Sequence, residues 1–288
     1  MKKIFDTYQQ RNFDISEVNK DLENIRQNVS IDENNLKKAF SFIDLTSLNS
    51  TDTKEKIASL TAKVNEFPER FPSMPKVAGI CVYPNFVEIV KNNLTDKDVA
   101  IVSVAGGFPS SQTFINIKTA EIREAIYHGA QEVDIVISVG EFIAGEYAYV
   151  FHELKKIRKN AKNVHLKVIL ETGLLPNLND IYKAAILAME AGADFIKTST
   201  GKEKVGATPE AVYVMSYAVL DYYNKTERKV GIKPAGGVSS AELALYYMEI
   251  VKTILGEQWL NKHLFRIGTS SLANKLLIDL RLTKENYF

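Results

Sequence analysis

Short apolar runs rich in valine and isoleucine alternate along the chain with longer stretches in which apolar residues recur every three or four positions. This is the pattern of repeated strand–helix units. Eight strand candidates emerge, at 42–45, 78–82, 100–105, 132–137, 165–170, 195–198, 230–233 and 265–268, with amphipathic helical patterns at 119–128, 181–191, 211–223 and 241–255 among the segments between them. Gly129, Gly192 and Gly256 fall where helices should stop, as left-handed C-caps require. Eight parallel strands, each followed by a helix, close most naturally into a (β/α)8 TIM barrel. A doubly wound sheet usually carries a glycine-rich first turn, and the first turn here is Thr46-Ser47-Leu48-Asn49. Polar helical patterns at 15–29 and 33–40 precede the first strand. The expected organisation is therefore α/β, with residues 1–40 a short N-terminal helical extension and 41–288 a single barrel domain.

Composition narrows the partners. The 288 residues could divide into two domains, but no Gly/Ser/Pro-rich linker separates them. With 45% hydrophobic residues and a formal net charge of +1, the chain can build a sizeable core and has no overall field to gather nucleic acid. A single cysteine, Cys81, excludes an intrachain disulfide. No signal-like apolar core opens the chain, and no later run reaches about 18 apolar residues. These features predict a soluble, cytoplasmic protein that engages neither nucleic acid nor membrane.

Charged residues inside the strand patterns carry the chemistry. Asp44 is expected to close the first strand, Cys81 the second, Asp134 the fourth, Lys167 the fifth, Lys197 the sixth and Lys233 the seventh. Lys167, Lys197 and Lys233 follow Asp134 and one another at intervals of 33, 30 and 36 residues, each about one strand–helix unit. Four charges are thus expected on four neighbouring strands at similar height. At an interstrand spacing of about 4.8 Å they would interact directly. One carboxylate facing three ammoniums leaves positive charge uncompensated. An Asp134–Lys167 ion pair accounts for part of the set structurally, which leaves Lys197 and Lys233 with a task. A lysine kept neutral is a nucleophile toward carbonyls. A second ammonium about 4 Å away, at an effective dielectric near 20, disfavours the charged amine by about 4 kcal/mol. Cys81 is either a small buried hydrophobe or a residue lining the substrate site. The four histidines, His128, His152, His165 and His263, have no metal-ligand spacing, and no metal site is expected.

The last third reads as a phosphate cradle. Gly236-Gly237 follow the seventh strand and are expected to open a helix, Gly268-Thr269-Ser270-Ser271 follow the eighth and open another, and Gly201 and Lys202 come after the sixth. Loops after strands seven and eight are the habitual phosphate site of this barrel, where backbone N–H groups at helix starts receive anions. Single glycine pairs also make plain tight turns. On residues alone, several readings stay open: an imine-forming barrel aldolase, a transaldolase, or a non-catalytic barrel that binds phosphorylated metabolites.

Five segments carry a specific resemblance: Phe195-Ile196-Lys197-Thr198-Ser199-Thr200-Gly201-Lys202, Lys233-Pro234-Ala235-Gly236-Gly237, Ile43-Asp44-Leu45-Thr46-Ser47-Leu48-Asn49, Cys81-Val82-Tyr83-Pro84 and Leu166-Lys167-Val168-Ile169-Leu170-Glu171-Thr172-Gly173. Together with Gly106-Gly107-Phe108-Pro109 and Arg266-Ile267-Gly268-Thr269-Ser270-Ser271, this stretch resembles the DeoC family of class I deoxyribose-phosphate aldolases. The resemblance implies reversible cleavage of 2-deoxy-D-ribose 5-phosphate to acetaldehyde and D-glyceraldehyde 3-phosphate, without metal or organic cofactor. It implies Lys197 as Schiff-base nucleophile, Asp134 and Lys233 acting on protons through an ordered water, and Lys167 beside them. Substrate would be bound by Asp44, Thr46, Asn49, Cys81, Gly201, Lys202, Gly236, Gly237, Gly268, Ser270 and Ser271. Family members often self-associate, so the resemblance allows a homo-oligomer of open order. One departure is visible. The family's phosphate loop commonly runs from Gly-Gly-Val into an arginine, whereas this chain has Val238-Ser239-Ser240, which implies weaker phosphate binding.

Overall fold

The computed structural model describes residues 2–8 and 11–288. Eight strands alternate with helices: β1 (Ile43–Thr46), β2 (Gly79–Val82), β3 (Ala100–Val104), β4 (Glu132–Val136), β5 (His165–Ile169), β6 (Phe195–Lys197), β7 (Gly231–Lys233) and β8 (Ile267–Thr269). They pair in parallel in the order β7-β6-β5-β4-β3-β2-β1-β8. The two ends of that order meet through parallel bridges, Ile232 with Phe265 and Ala235 with Gly268. There the Ile232 N–H donates to the Leu264 carbonyl (2.9 Å) and the Gly268 N–H to the Pro234 carbonyl (2.9 Å). The result is the expected (β/α)8 barrel.

Because helices cover the outside and side chains fill the inside, the strands are buried on both faces, which is why they read as nearly continuous apolar runs. Helix ends follow local chemistry. Asn177, Thr208 and Ser240 cap the helices Leu178–Ala191, Pro209–Thr226 and Ala241–Leu255, each side chain accepting a backbone N–H of the first turn. Gly129 and Gly192 end their helices in the left-handed conformation, as expected. Gly256 differs. It has a positive φ of 89°, but with ψ at 162° its chain leaves extended instead of closing a left-handed cap.

Ahead of β1, the helices Ile15–Arg26 and Glu33–Ser41 pack on the helix Ala241–Leu255. Val18, Leu22, Ile25, Leu36 and Phe40 join the same apolar core as the barrel helices. Arg11 grips Asp221 with two hydrogen bonds (2.7 and 2.9 Å), fixing the chain that leads into these helices.

Register corrects one expectation. Asp134 lies opposite Lys167, and Lys197 lies opposite Lys233, but the residue of β5 opposite Lys197 is Ile169. The four charges therefore form two levels, with Lys197 and Lys233 nearer the C-terminal mouth. Asp44 sits second in β1 and does not close it.

Candidate active site

Among the described residues, the charges inside the barrel number seven. Asp44, Glu132 and Asp134 face Lys167, Lys197, Lys233 and Arg266, all nearly or wholly buried. The expected count of one carboxylate against three ammoniums is thus corrected to three anions and four cations, still one positive charge in excess. Glu132 and Arg266 escaped the sequence reading as members of this set. Glu132 was legible, since residues two apart on a strand share a face and Asp134 faces inward. Arg266 precedes β8 and reaches in from below.

The lower level is a closed network. Arg266 donates to Asp44 and Glu132 (2.9 Å to Glu132 Oε1), and Lys167 donates to Glu132 and to Asp134 Oδ1 (3.1 Å). Lys233 spans the levels, bonded to Asp44 and, at 2.8 Å, to Asp134 Oδ2. Burial alone would push the Asp134 carboxyl up, but the ammoniums of Lys167, Lys197 and Lys233 outweigh it and hold the carboxyl well below the usual range. The same contest keeps Asp44 low, through Lys233 and Arg266, and Glu132 well below its ordinary value, through Lys167. Conversely, burial would lower Lys233 and Lys167, yet Asp134 with Asp44, and Asp134 with Glu132, raise them. Both lysines remain ammoniums.

Lys197 occupies a different position. Its Nζ donates to Asp134 Oδ2 at 2.8 Å, the same oxygen that Lys233 uses at the same distance, so the two nitrogens lie at most twice that distance apart. At about 5 Å and an effective dielectric near 20, they repel by about 3 kcal/mol. Lys197 therefore has no carboxylate oxygen to itself. Lys197 is also the member of the set that borders a cavity, of about 320 Å³, at the C-terminal ends of the strands.

Thr46, Asn49, Lys197, Gly201, Lys202, Gly236, Gly237, Gly268, Ser270 and Ser271 all line this cavity, as does Ser239 of the departing phosphate loop, together with Leu48 and Thr200, which the sequence did not single out as site residues. Asp134, Lys167, Lys233, Asp44 and Cys81 lie beneath or beside it, without lining it. The Cys81 thiol packs with Leu48, Val102 and Val104, and burial pushes it up to about 11.

The loops are held by main chain. Thr198, just past β6, donates its hydroxyl to the Ala235 carbonyl (3.0 Å) and accepts the Ala235 N–H (2.9 Å), extending the β6–β7 pairing beyond the strands. Gly236 and Gly237 both have positive φ (81° and 76°). A Cβ on Gly206 would stand 2.3 Å from the Gly236 carbonyl oxygen, so only glycine permits these loops to touch. Gly236-Gly237 do not open a helix directly, as the sequence suggested: that helix begins four residues later, capped by Ser240. The helix after β8 does start beside the cavity, at Leu272, with no side chain capping its first turn from Ser271.

Residues 38–257 match the model of the DeoC/LacD family of aldolases. A deoxyribose-phosphate aldolase of Homo sapiens is 41% identical over 252 residues, 84% of this chain and 79% of its own length. A chain from Caenorhabditis elegans is 41% identical over 295 residues, 96% of each, so that likeness reaches into the helices ahead of β1. Among solved structures, the aldolase QR15 is 30% identical, with a TM-score of 0.69 over 84% of this chain and 96% of that one. The fold, the paired charges on β4 to β7 and these likenesses agree: the chain belongs to the DeoC/LacD family of aldolases.

Proposed function

We propose that this protein is a Schiff-base aldolase that reversibly cleaves 2-deoxy-D-ribose 5-phosphate to acetaldehyde and D-glyceraldehyde 3-phosphate. The observation that carries the reading is Lys197 at the edge of the cavity, sharing a single carboxylate oxygen with Lys233. The neutral amine of Lys197 attacks the C1 aldehyde of the open-chain sugar, and loss of water gives an iminium. With that electron sink in place, the C3 hydroxyl loses its proton toward Asp134 through a water. The C2–C3 bond breaks, glyceraldehyde 3-phosphate leaves, and an enamine remains on Lys197. Protonation at C2 and hydrolysis then release acetaldehyde and restore the amine. Lys233, held as an ammonium, opposes charge on Lys197 and donates protons to the same water, while Lys167 orients Asp134.

The phosphate is held by the backbone of Gly236, Gly237, Ser270 and Ser271, with Lys202 supplying charge. Ser239, exposed at the rim, is expected to leave the grip weak: Ser239→Arg should lower KM for the phosphorylated sugar about tenfold, and an unchanged KM counts against this assignment. Borohydride trapping in the presence of acetaldehyde, followed by peptide mapping, tests the central step. A label on Lys197 is expected, and a label elsewhere overturns the mechanism.

A further inference from the structure

Glu171 is a buried carboxylate that this chemistry leaves unused. Its backbone is left-handed (φ 53°, ψ 57°), a conformation disfavoured for any residue with a Cβ, and the residue is only 2% exposed. Both neighbours are pinned to the chain at β6: the Leu170 N–H donates to the Lys197 carbonyl and the Thr172 N–H to the Thr198 carbonyl, each at 2.9 Å. Residue 171 absorbs the turn, and its carboxylate accepts three hydrogen bonds from one residue. The Thr200 N–H donates at 3.2 and 3.3 Å to the two oxygens, and the Thr200 hydroxyl donates at 2.5 Å. Burial pushes the Glu171 carboxyl up, against the pull of these donors.

Thr200 passes the constraint onward, since its hydroxyl oxygen accepts the N–H of Lys202 at 3.0 Å. Thr200, Gly201 and Lys202 all line the cavity. Their loop then leans on the next one through Gly206 against Gly236, and the Ala207 N–H donates to the carbonyls of Ala235 (3.1 Å) and Gly236 (3.0 Å). On the other side Gly173, two residues past Glu171, presses on Val205, where a Cβ would stand 2.3 Å from the carbonyl oxygen.

We infer that Glu171 is a positioning residue for the anion end of the site. It sets the loop after β6 and, through the glycine contacts, the loop after β7, in the geometry that receives the phosphate, while touching no reacting atom. This rests on the aldolase reading above.

The test compares wild type with Glu171→Gln, Thr200→Val and Thr200→Ser on 2-deoxy-D-ribose 5-phosphate and on 2-deoxy-D-ribose. For Glu171→Gln and Thr200→Val, KM for the phosphorylated sugar should rise about tenfold with kcat within about twofold, the size expected for one lost hydrogen bond to a charged group. For Glu171→Gln, kcat/KM for the unphosphorylated sugar, and the rate of borohydride trapping with acetaldehyde, should stay at the wild-type level. Thr200→Ser, which keeps the hydroxyl donor, should recover most of the KM lost in Thr200→Val, and that pair carries the test if Glu171→Gln folds poorly; no recovery counts against the positioning role. A loss shared equally by both sugars, or a fall in kcat at constant KM, overturns the positioning role and leaves the aldolase reading standing. A wild-type protein that cleaves neither sugar, or does not favour the phosphorylated one, overturns that reading and this inference with it.

Discussion

Lys118 and Lys197 are equally hidden from water, 1% and 3% exposed, yet their surroundings differ in kind. Lys118, on the helix Ile115–His128, donates to the Ser111 hydroxyl (2.7 Å), the Ser138 hydroxyl (3.0 Å) and Glu153 (2.8 Å), and Ser138 in turn donates to Glu153 (2.7 Å). Every proton of that ammonium is used, and the other hydrogen bonds to the Glu153 carboxylate come from a neutral hydroxyl. The pair ties the loops after β3 and β4 to two helices. Lys197 has a carboxylate that three ammoniums divide, and a cavity beside it. Burial of a lysine is thus no signal of chemistry by itself. What separates the two is whether the pairing is exclusive and whether a ligand can reach the nitrogen.

The sharpest way to break that contrast is to remove each ammonium. Lys197→Met is expected to cost at least about 10⁴-fold in kcat, the scale of deleting a covalent nucleophile, with little change in unfolding midpoint. A variant that kept more than about a hundredth of wild-type turnover would refute the assignment. Lys118→Met should do the reverse. Leaving Glu153 buried without its cation should lower stability by about 3–5 kcal/mol in denaturant titration, with kcat little changed in the folded fraction. The double variant Lys118→Met/Glu153→Leu should recover most of that loss, because an apolar pair replaces an ion pair at little cost; no recovery would mean that the network does more than bury charge.

Acid should find the barrel interior first. Asp44, Glu132 and Asp134 have folded-state values below their unfolded ones, so the stability they contribute is complete above the ordinary carboxylate range and is lost as pH falls through the folded values. Lys167 and Lys233 are raised, so their contribution is complete below the ordinary lysine value, near 10.4, and is lost only as pH climbs through the folded values. Unfolding midpoints measured from pH 2 to 11 should therefore show a plateau with an acid limb that shrinks in Asp134→Asn. An identical acid limb in that variant would sink the account. The smallest effect belongs to the i,i+4 pair Lys37–Glu33 (2.7 Å), half-buried at the lysine and exposed at the glutamate, where Glu33→Ala should change stability by about 0.5 kcal/mol or less.

Much of this was readable in advance, for a physical reason. Parallel strands buried on both faces write themselves as Val/Ile runs, and two helices announce their ends through Gly129 and Gly192. Polar residues inside the runs at one-unit spacing, Asp134, Lys167, Lys197 and Lys233, marked the interior. Spacing along the chain does not encode stagger between strands, so Ile169 in place of Lys167 opposite Lys197 had to be seen. Partner count was equally hidden. Arg266 and Glu132 add one cation and one anion from a level below, and Glu171 needed a backbone angle to reveal itself. The lysine of an amphipathic helix looked like any surface charge, and Lys118 went unremarked.

The contact of Gly206 with Gly236 has a bearing on how such a site can change over generations. The proposed main-chain grip cannot be retuned by exchanging side chains: a Cβ at Gly206 would stand 2.3 Å from the Gly236 carbonyl oxygen and push the two loops apart. Retuning toward substrates without phosphate is therefore expected to run through exposed rim side chains such as Ser239 and Lys202. A library meant to redirect this barrel should spend its diversity there and leave the glycines alone.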